Sequence, residues 1–266
     1  MSEFLDFAQR LLDIVRTAWV EHSEREGGIA HTDESDRQLV LAYVHAYRRF
    51  RAIKRLAEDD QPSPEAVMVL TRSLVSLTHR ALYLVSSDDP EIREERRKRF
   101  FLLSVREQKT YLEGIVDKAP DVRPSLVLAR ESVRLREEEF QRRGWSLTRP
   151  VFPKDEVLAS ELSFPDHYDE VYRSGSGDTH YSAFSAAGGF ADLEGATPTI
   201  ALTGYDVAEL RQALLRAIVV YSEFLIAAEK VVGLGVGPEV EKLRPVLAQA
   251  VERAKAELGA ADAATT

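Results

Sequence analysis

The stretch DVAELRQALLRAIVVYSEFLIAAEKVV, residues 206–232, decides the fold. From Leu214 to Leu234 the apolar run is broken by the charges Arg216, Glu223, Glu229 and Lys230. Four charges argue against a membrane span. A helix apolar on nearly every side instead belongs at the centre of a bundle. Gly233-x-Gly235-x-Gly237 follows this helix rather than a strand, so it reads as a turn and not as a dinucleotide loop. A last helix is predicted from Pro238 to about Leu258, with residues 261–266 a loose tail.

Upstream, apolar residues recur at helical spacing. The first helix is expected from Ser2, as N-cap, to about Glu24, with Phe4, Ala8, Leu11, Leu12, Val15 and Trp19 on one side. The second runs from about Asp33 to Ala57, with Leu39, Tyr43, Ala46, Tyr47, Phe50 and Ile53 inward. Ser63 and Pro64 open a third helix that reaches about Val85. A fourth starts near Asp89 and Pro90 and ends near Val116, and a fifth covers roughly residues 123–143. Residues 144–165 read as an irregular connection, with a short helix over 166–172. The class is all-α, a bundle of about seven to eight helices. One domain is expected over 1–260, with an irregular insert at about 144–204.

Composition bounds the chemistry. Of 266 residues, 44% are hydrophobic and 30% charged, with 14 Gly and 11 Pro, which is a globular balance. No cysteine is present, which excludes disulfides, thiolate metal sites and a cysteine nucleophile. The net charge of −9 argues against a surface that binds duplex nucleic acid everywhere, but leaves room for a local basic site. The N-terminus MSEFLDFAQRLLDIV carries acids and helical periodicity rather than a signal peptide, so a cytoplasmic location and no membrane contact are expected.

The segment Arg173-Ser-Gly-Ser-Gly-Asp-Thr-His180 carries the most chemical information. Gly175 and Gly177 can turn the chain, and Asp178 is a natural N-cap, which puts His180 in the first turn of a helix. Free N–H groups and the positive end of the helix dipole favour an anion there, although the Asp178 carboxylate opposes one. An Arg and a His converging on such a point suit a phosphate. The imidazole can act as base on a 2′-hydroxyl or as acid to the leaving oxygen, and the guanidinium can stabilise phosphoryl charge. On the third helix Arg72, Ser76, His79 and Tyr83 follow i, i+4, i+7, i+11 on an otherwise apolar background. This stripe either faces the Arg173–His180 turn and shares a pocket with it, or is the solvent face of its helix. His167, in Asp166-His167-Tyr168-Asp169-Glu170, reads as solvated loop charge rather than a metal ligand. The clusters Arg48–Arg55 and Arg96–Arg99 read as an RNA track or as a solvated face, and the net charge favours the solvated face.

Tyr172-Arg173-x-x-Ser176-x-x-x-His180-x-Ser182 resembles the main motif of a mainly bacterial helical family, domain of unknown function 5677. Thr71-Arg72-Ser73-Leu74-Val75 resembles that family's other landmark, an Arg-Ser opening on an apolar helix, with Ser76 where the family often has Glu. The Arg…His spacing more distantly resembles the signature of HEPN-fold, metal-independent ribonucleases, whose sites often form across a homodimer. That resemblance implies an endoribonuclease or related phosphoryl-transfer protein acting on RNA, in phage defence or a toxin–antitoxin setting, with no cofactor. Arg173 would bind phosphate and His180 would be base or acid. Ser176 and Ser182 would orient them. Arg72 would be a second anion contact, with Ser76, His79 and Tyr172 lining the substrate pocket. The alternative is a non-catalytic helical module that binds a protein partner or a small ligand.

Overall fold

In the computed structural model, residues 1–24, 34–116, 123–146, 152–173 and 207–265 are described. Among them there is no strand. The helices are α1 (Ser2–Ser23), α2 (Glu34–Ala57), α3 (Pro64–Val85), α4 (Pro90–Val116), α5 (Arg123–Arg142), α6 (Asp155–Glu161), a π-helix (His167–Arg173), α7 (Val207–Val232) and α8 (Val236–Thr265). The chain divides into two compact units, residues 1–85 with 155–266, and residues 86–154.

In the larger unit α7 is the axis, as its apolar run requires. Leu210, Leu214, Ile218, Tyr221, Phe224 and Leu225 are all buried on it. It packs against α3, α2, α8 and α1. Phe50 of α2 stacks on Tyr221 with ring centroids 4.3 Å apart, and Tyr43 meets Phe224 at 5.9 Å. Each large side chain buried this way contributes roughly 1.5–3 kcal/mol, which is why α7 and its neighbours form one core.

The helix boundaries follow local chemistry. At α3, the Ser63 hydroxyl accepts the Ala66 N–H at 3.1 Å and Pro64 fills the first helical position. At α4, the Asp89 carboxylate accepts the Glu91 N–H at 2.8 Å. After α7, Gly233 and Gly235 take φ of 63° and 75°, open to glycine at little cost. The Glu229 carboxylate then accepts the N–H groups of Gly235 at 2.6 Å and Gly237 at 2.9 Å, which otherwise lack partners at the start of α8.

Three boundaries differ from the sequence reading. Ser2 lies inside α1, with Met1 as the N-cap and no side-chain cap bond. The stretch expected to be irregular contains α6, whose first turn carries Asp155 and Glu156 against the helix dipole. The last helix, expected to end near Leu258, runs to Thr265 as α8, because alanines favour helix.

The smaller unit is a hairpin of α4 and α5 around Leu102, Val105, Leu112, Val133, Phe140 and Trp145. α5 ends in a Schellman turn. Gly144, at φ 71°, donates to Gln141 at 2.9 Å, and the Trp145 N–H reaches the Phe140 carbonyl at 2.8 Å. The two rings then stack at 4.9 Å, which is the apolar contact this motif favours. The Arg/Glu-rich faces are local pairs, as expected: Arg134 with Glu131 and Glu138, and Arg99 with Glu95. Such exposed pairs are screened by solvent and add little to stability.

Candidate functional site

The site lies in the larger unit, where α6 and the π-helix pack on α3 and the π-helix meets Glu223 of α7. α6 stops at a second Schellman turn, this one with a serine in the left-handed region. Ser163 takes φ 64°, its N–H bonds Ser160 at 3.1 Å, and the Phe164 N–H bonds Ala159 at 2.7 Å. A non-glycine residue there costs roughly 1–2 kcal/mol. What the turn achieves is placement. It lays the Phe164 ring parallel to His167 at 4.9 Å and to His79 at 5.8 Å. His167 then opens the π-helix, a rare geometry found often at functional sites.

Polar groups meet under that ring. His79 Nε2 lies 3.1 Å from His167 Nδ1, and both imidazoles are buried. His167 Nε2 lies 2.5 Å from the Glu223 carboxylate of α7, close enough for an ion pair though off the hydrogen-bonding axis of the ring. Burial, reinforced by the neighbouring His167, lowers the His79 pKa to about 3, so this ring is neutral at ordinary pH. Among the described residues His79 Nδ1 has no partner. An orphaned buried N–H is rarer than an orphaned acceptor, which assigns the His79 proton to Nε2. In that tautomer His79 donates to His167 Nδ1.

A cavity of about 310 Å³ opens beside this chain of groups. The Ser163–His167 segment lines one side, and Gln212, Arg216, Val220 and Glu223 of α7 line the other. Spacing of i, i+4, i+8 and i+11 puts those four on one face of α7. Arg216 is half-buried and makes no ion pair among the described residues, while Asp166 is exposed at the rim. Here a cation, an amide and a carboxylate held by an imidazole converge. That combination can bind an anion and move a proton.

The predicted stripe on α3 is placed only in part. Ser76 donates to the buried Asp155 of α6 at 3.2 Å, Arg80 approaches the same carboxylate at 3.7 Å, and His79 meets His167. Tyr83 is buried and Arg72 half-buried. At Ser76, His79 and Tyr83 the stripe is therefore an internal face, not a solvent face. Tyr172 and Arg173 end the π-helix. Ser176, His180 and Ser182 lie outside the described residues, as does the turn between Arg173 and His180.

His167 departs from the reading of its cluster as solvated charge: it is 6% exposed and bonded on the protein side, whereas Asp166 and Asp169 are exposed as expected. Glu223 and Arg216 were visible only as charges interrupting an apolar helix. That was the usable signal, because a charge inside a core needs a partner or a cavity. Among the described residues no three metal-capable side chains converge, and no helix is long and apolar enough to cross a membrane.

No curated protein and no solved structure matches the chain. The profile of a family of unknown function, DUF5677, does match, over residues 36–195. It spans the elements from α2 to the π-helix, including His79, His167 and the Arg173…His180 motif, and stops before Arg216 and Glu223. Covering more than half of the sequence, that match makes this chain a member of the DUF5677 family.

Proposed function

We propose that the protein is a phosphoryl-transfer protein acting on RNA, an endoribonuclease that needs no metal. The observation that carries this reading is the cavity of about 310 Å³ where Arg216 meets the His167–Glu223 pair. Arg216 would hold a phosphodiester by charge-assisted hydrogen bonds. Glu223, steadied by His167, would take the proton of the 2′-hydroxyl as that oxygen attacks phosphorus. The bond from phosphorus to the 5′-oxygen then breaks, and the departing oxygen takes a proton from His180. The products are a 2′,3′-cyclic phosphate and a 5′-hydroxyl. Support for adding Arg173 to this centre is positional: the π-helix that begins at His167 ends at Arg173; His180 enters the proposal from its spacing to Arg173 in the sequence.

A second reading, a non-catalytic module that binds a protein or small ligand, draws on one observation. Both ring nitrogens of His167 already face protein groups, His79 and Glu223. The two readings part in one experiment. Wild type, Glu223→Gln, Arg216→Ala, Arg173→Ala and His180→Ala are incubated with total RNA, with and without EDTA. Cleavage that resists EDTA and drops at least a hundredfold in Glu223→Gln and His180→Ala supports the proposal. No cleavage by folded wild type, or full cleavage by those two variants, refutes it.

A further inference from the structure

A second cavity, of about 350 Å³, lies between α1 and α2. Tyr43 lies buried among its lining residues, and Trp19 and Tyr47 are half-buried beside it. Trp19 and Tyr43 are nearly parallel, 18° apart, with centroids separated by 6.2 Å. Arg16, Arg48 and Arg51 complete the lining, all three exposed, and no acidic side chain is among the lining residues. In a chain of net charge −9 that is a local reversal of sign.

The arginines are not equivalent. Arg16 is partnered by Asp13 at 3.2 Å. The Arg51 guanidinium lies 6.0 Å from the centre of the Tyr47 ring, a cation–π distance that leaves its outer N–H groups for a ligand. Arg48 makes no ion pair among the described residues. The other basic cluster of the sequence behaves differently: Arg97 is held by Glu94 and Arg99 by Glu95. So the solvated-face reading fits residues 96–99, whereas Arg48 and Arg51 flank an aromatic hollow.

Flat rings beside guanidinium groups are the chemistry of a stacked base with its phosphate. We infer that the Trp19–Tyr47–Arg48–Arg51 cavity binds one nucleotide unit of single-stranded RNA, its base against the aromatic faces and its phosphate on Arg48 and Arg51. The volume falls at the lower end for ligand pockets, which suits one nucleotide rather than a run of them. The choice of RNA over a free mononucleotide rests on the phosphodiester chemistry proposed above.

The chain has two tryptophans, Trp19 and Trp145, so Trp145→Phe leaves Trp19 as the sole indole reporter. That protein is titrated with octa-adenylate, with an abasic octamer of the same charge, and with adenosine monophosphate. Saturable quenching of Trp19 by octa-adenylate is expected, with the abasic octamer at least about tenfold weaker and without quenching. The Arg48→Ala/Arg51→Ala pair should weaken octa-adenylate about tenfold and flatten the slope of log affinity against log salt by about 1.4. Equal binding of the two octamers, absence of quenching, or binding indifferent to both arginines overturns the inference. Monophosphate binding as tight as the octamer overturns the assignment to RNA. Trp19 quenching by a protein with native Glu223 that cuts no RNA would defeat the nuclease reading alone.

Discussion

Lowering the pH should destabilise the protein through His79 before its carboxylates titrate. The ring is 1% exposed, and burial together with His167 holds its pKa near 3, against an ordinary value of 6.5. Charged or titratable groups around it come from three elements: His167 on the π-helix, Glu223 beyond it on α7, and Asp155 on α6 beside Arg80. Above pH 6.5 the folded and unfolded chains both keep this imidazole neutral. Below that, the unfolded chain binds a proton that the folded chain refuses until about pH 3, so stability falls as pH drops through the window. Between pH 7.5 and 5 the loss from this one group amounts to about 2 kcal/mol. The test compares wild type with His79→Gln, which keeps an amide to donate to His167 but cannot ionise. Urea unfolding followed by circular dichroism at both pH values gives the two differences. Wild type should lose about 2 kcal/mol more than the variant over that interval. Parallel losses would show that His79 titrates normally, and the buried imidazole pair would then be wrong.

Three further outcomes follow from particular contacts. Gly237→Ala should lower Tm despite the better helix propensity of alanine, because its Cβ would sit 2.8 Å from the Glu229 Cβ, an atom that cannot swing aside; an unchanged or raised Tm in a thermal melt refutes the close approach. Tyr221→Phe should raise stability by about 1 kcal/mol, since its hydroxyl is buried without a partner among the described residues and only costs desolvation; a loss by urea titration would reveal a bond to that oxygen. Asp155→Asn should cost about 1–2 kcal/mol by removing the carboxylate that Ser76 and Arg80 share, and should speed hydrogen exchange in α6; unchanged exchange there means α6 is held by Leu158 and Ala159 alone.

Much of the helical frame was legible because its causes are local. Ser63-Pro64, Asp89-Pro90, Gly144 and Gly233 mark ends within a residue or two, since capping and left-handed backbone depend only on near neighbours. α6 and the extension of α8 were missed. A seven-residue helix has little periodicity to read, and an alanine-rich tail has propensity without an apolar stripe. For the site, the polar stripe on α3 was visible as a pattern, but its partner was not. His79 meets a residue 88 positions away, and Glu223 comes from a third element again.

Apolar periodicity was enough to establish an all-α class with α7 at the centre of its own bundle, and it marked Arg216, Glu223 and His79 as charges or imidazoles embedded in apolar helices. Such groups need a partner or an opening to a cavity, because an unpaired ion or donor in a core is too costly to keep. The matches themselves come from the tertiary structure: Ser76 with Asp155, His79 with His167, and His167 with Glu223. Helical periodicity says which face a residue occupies, whereas the distance between two faces is set by how the helices cross, and no local pattern encodes that angle.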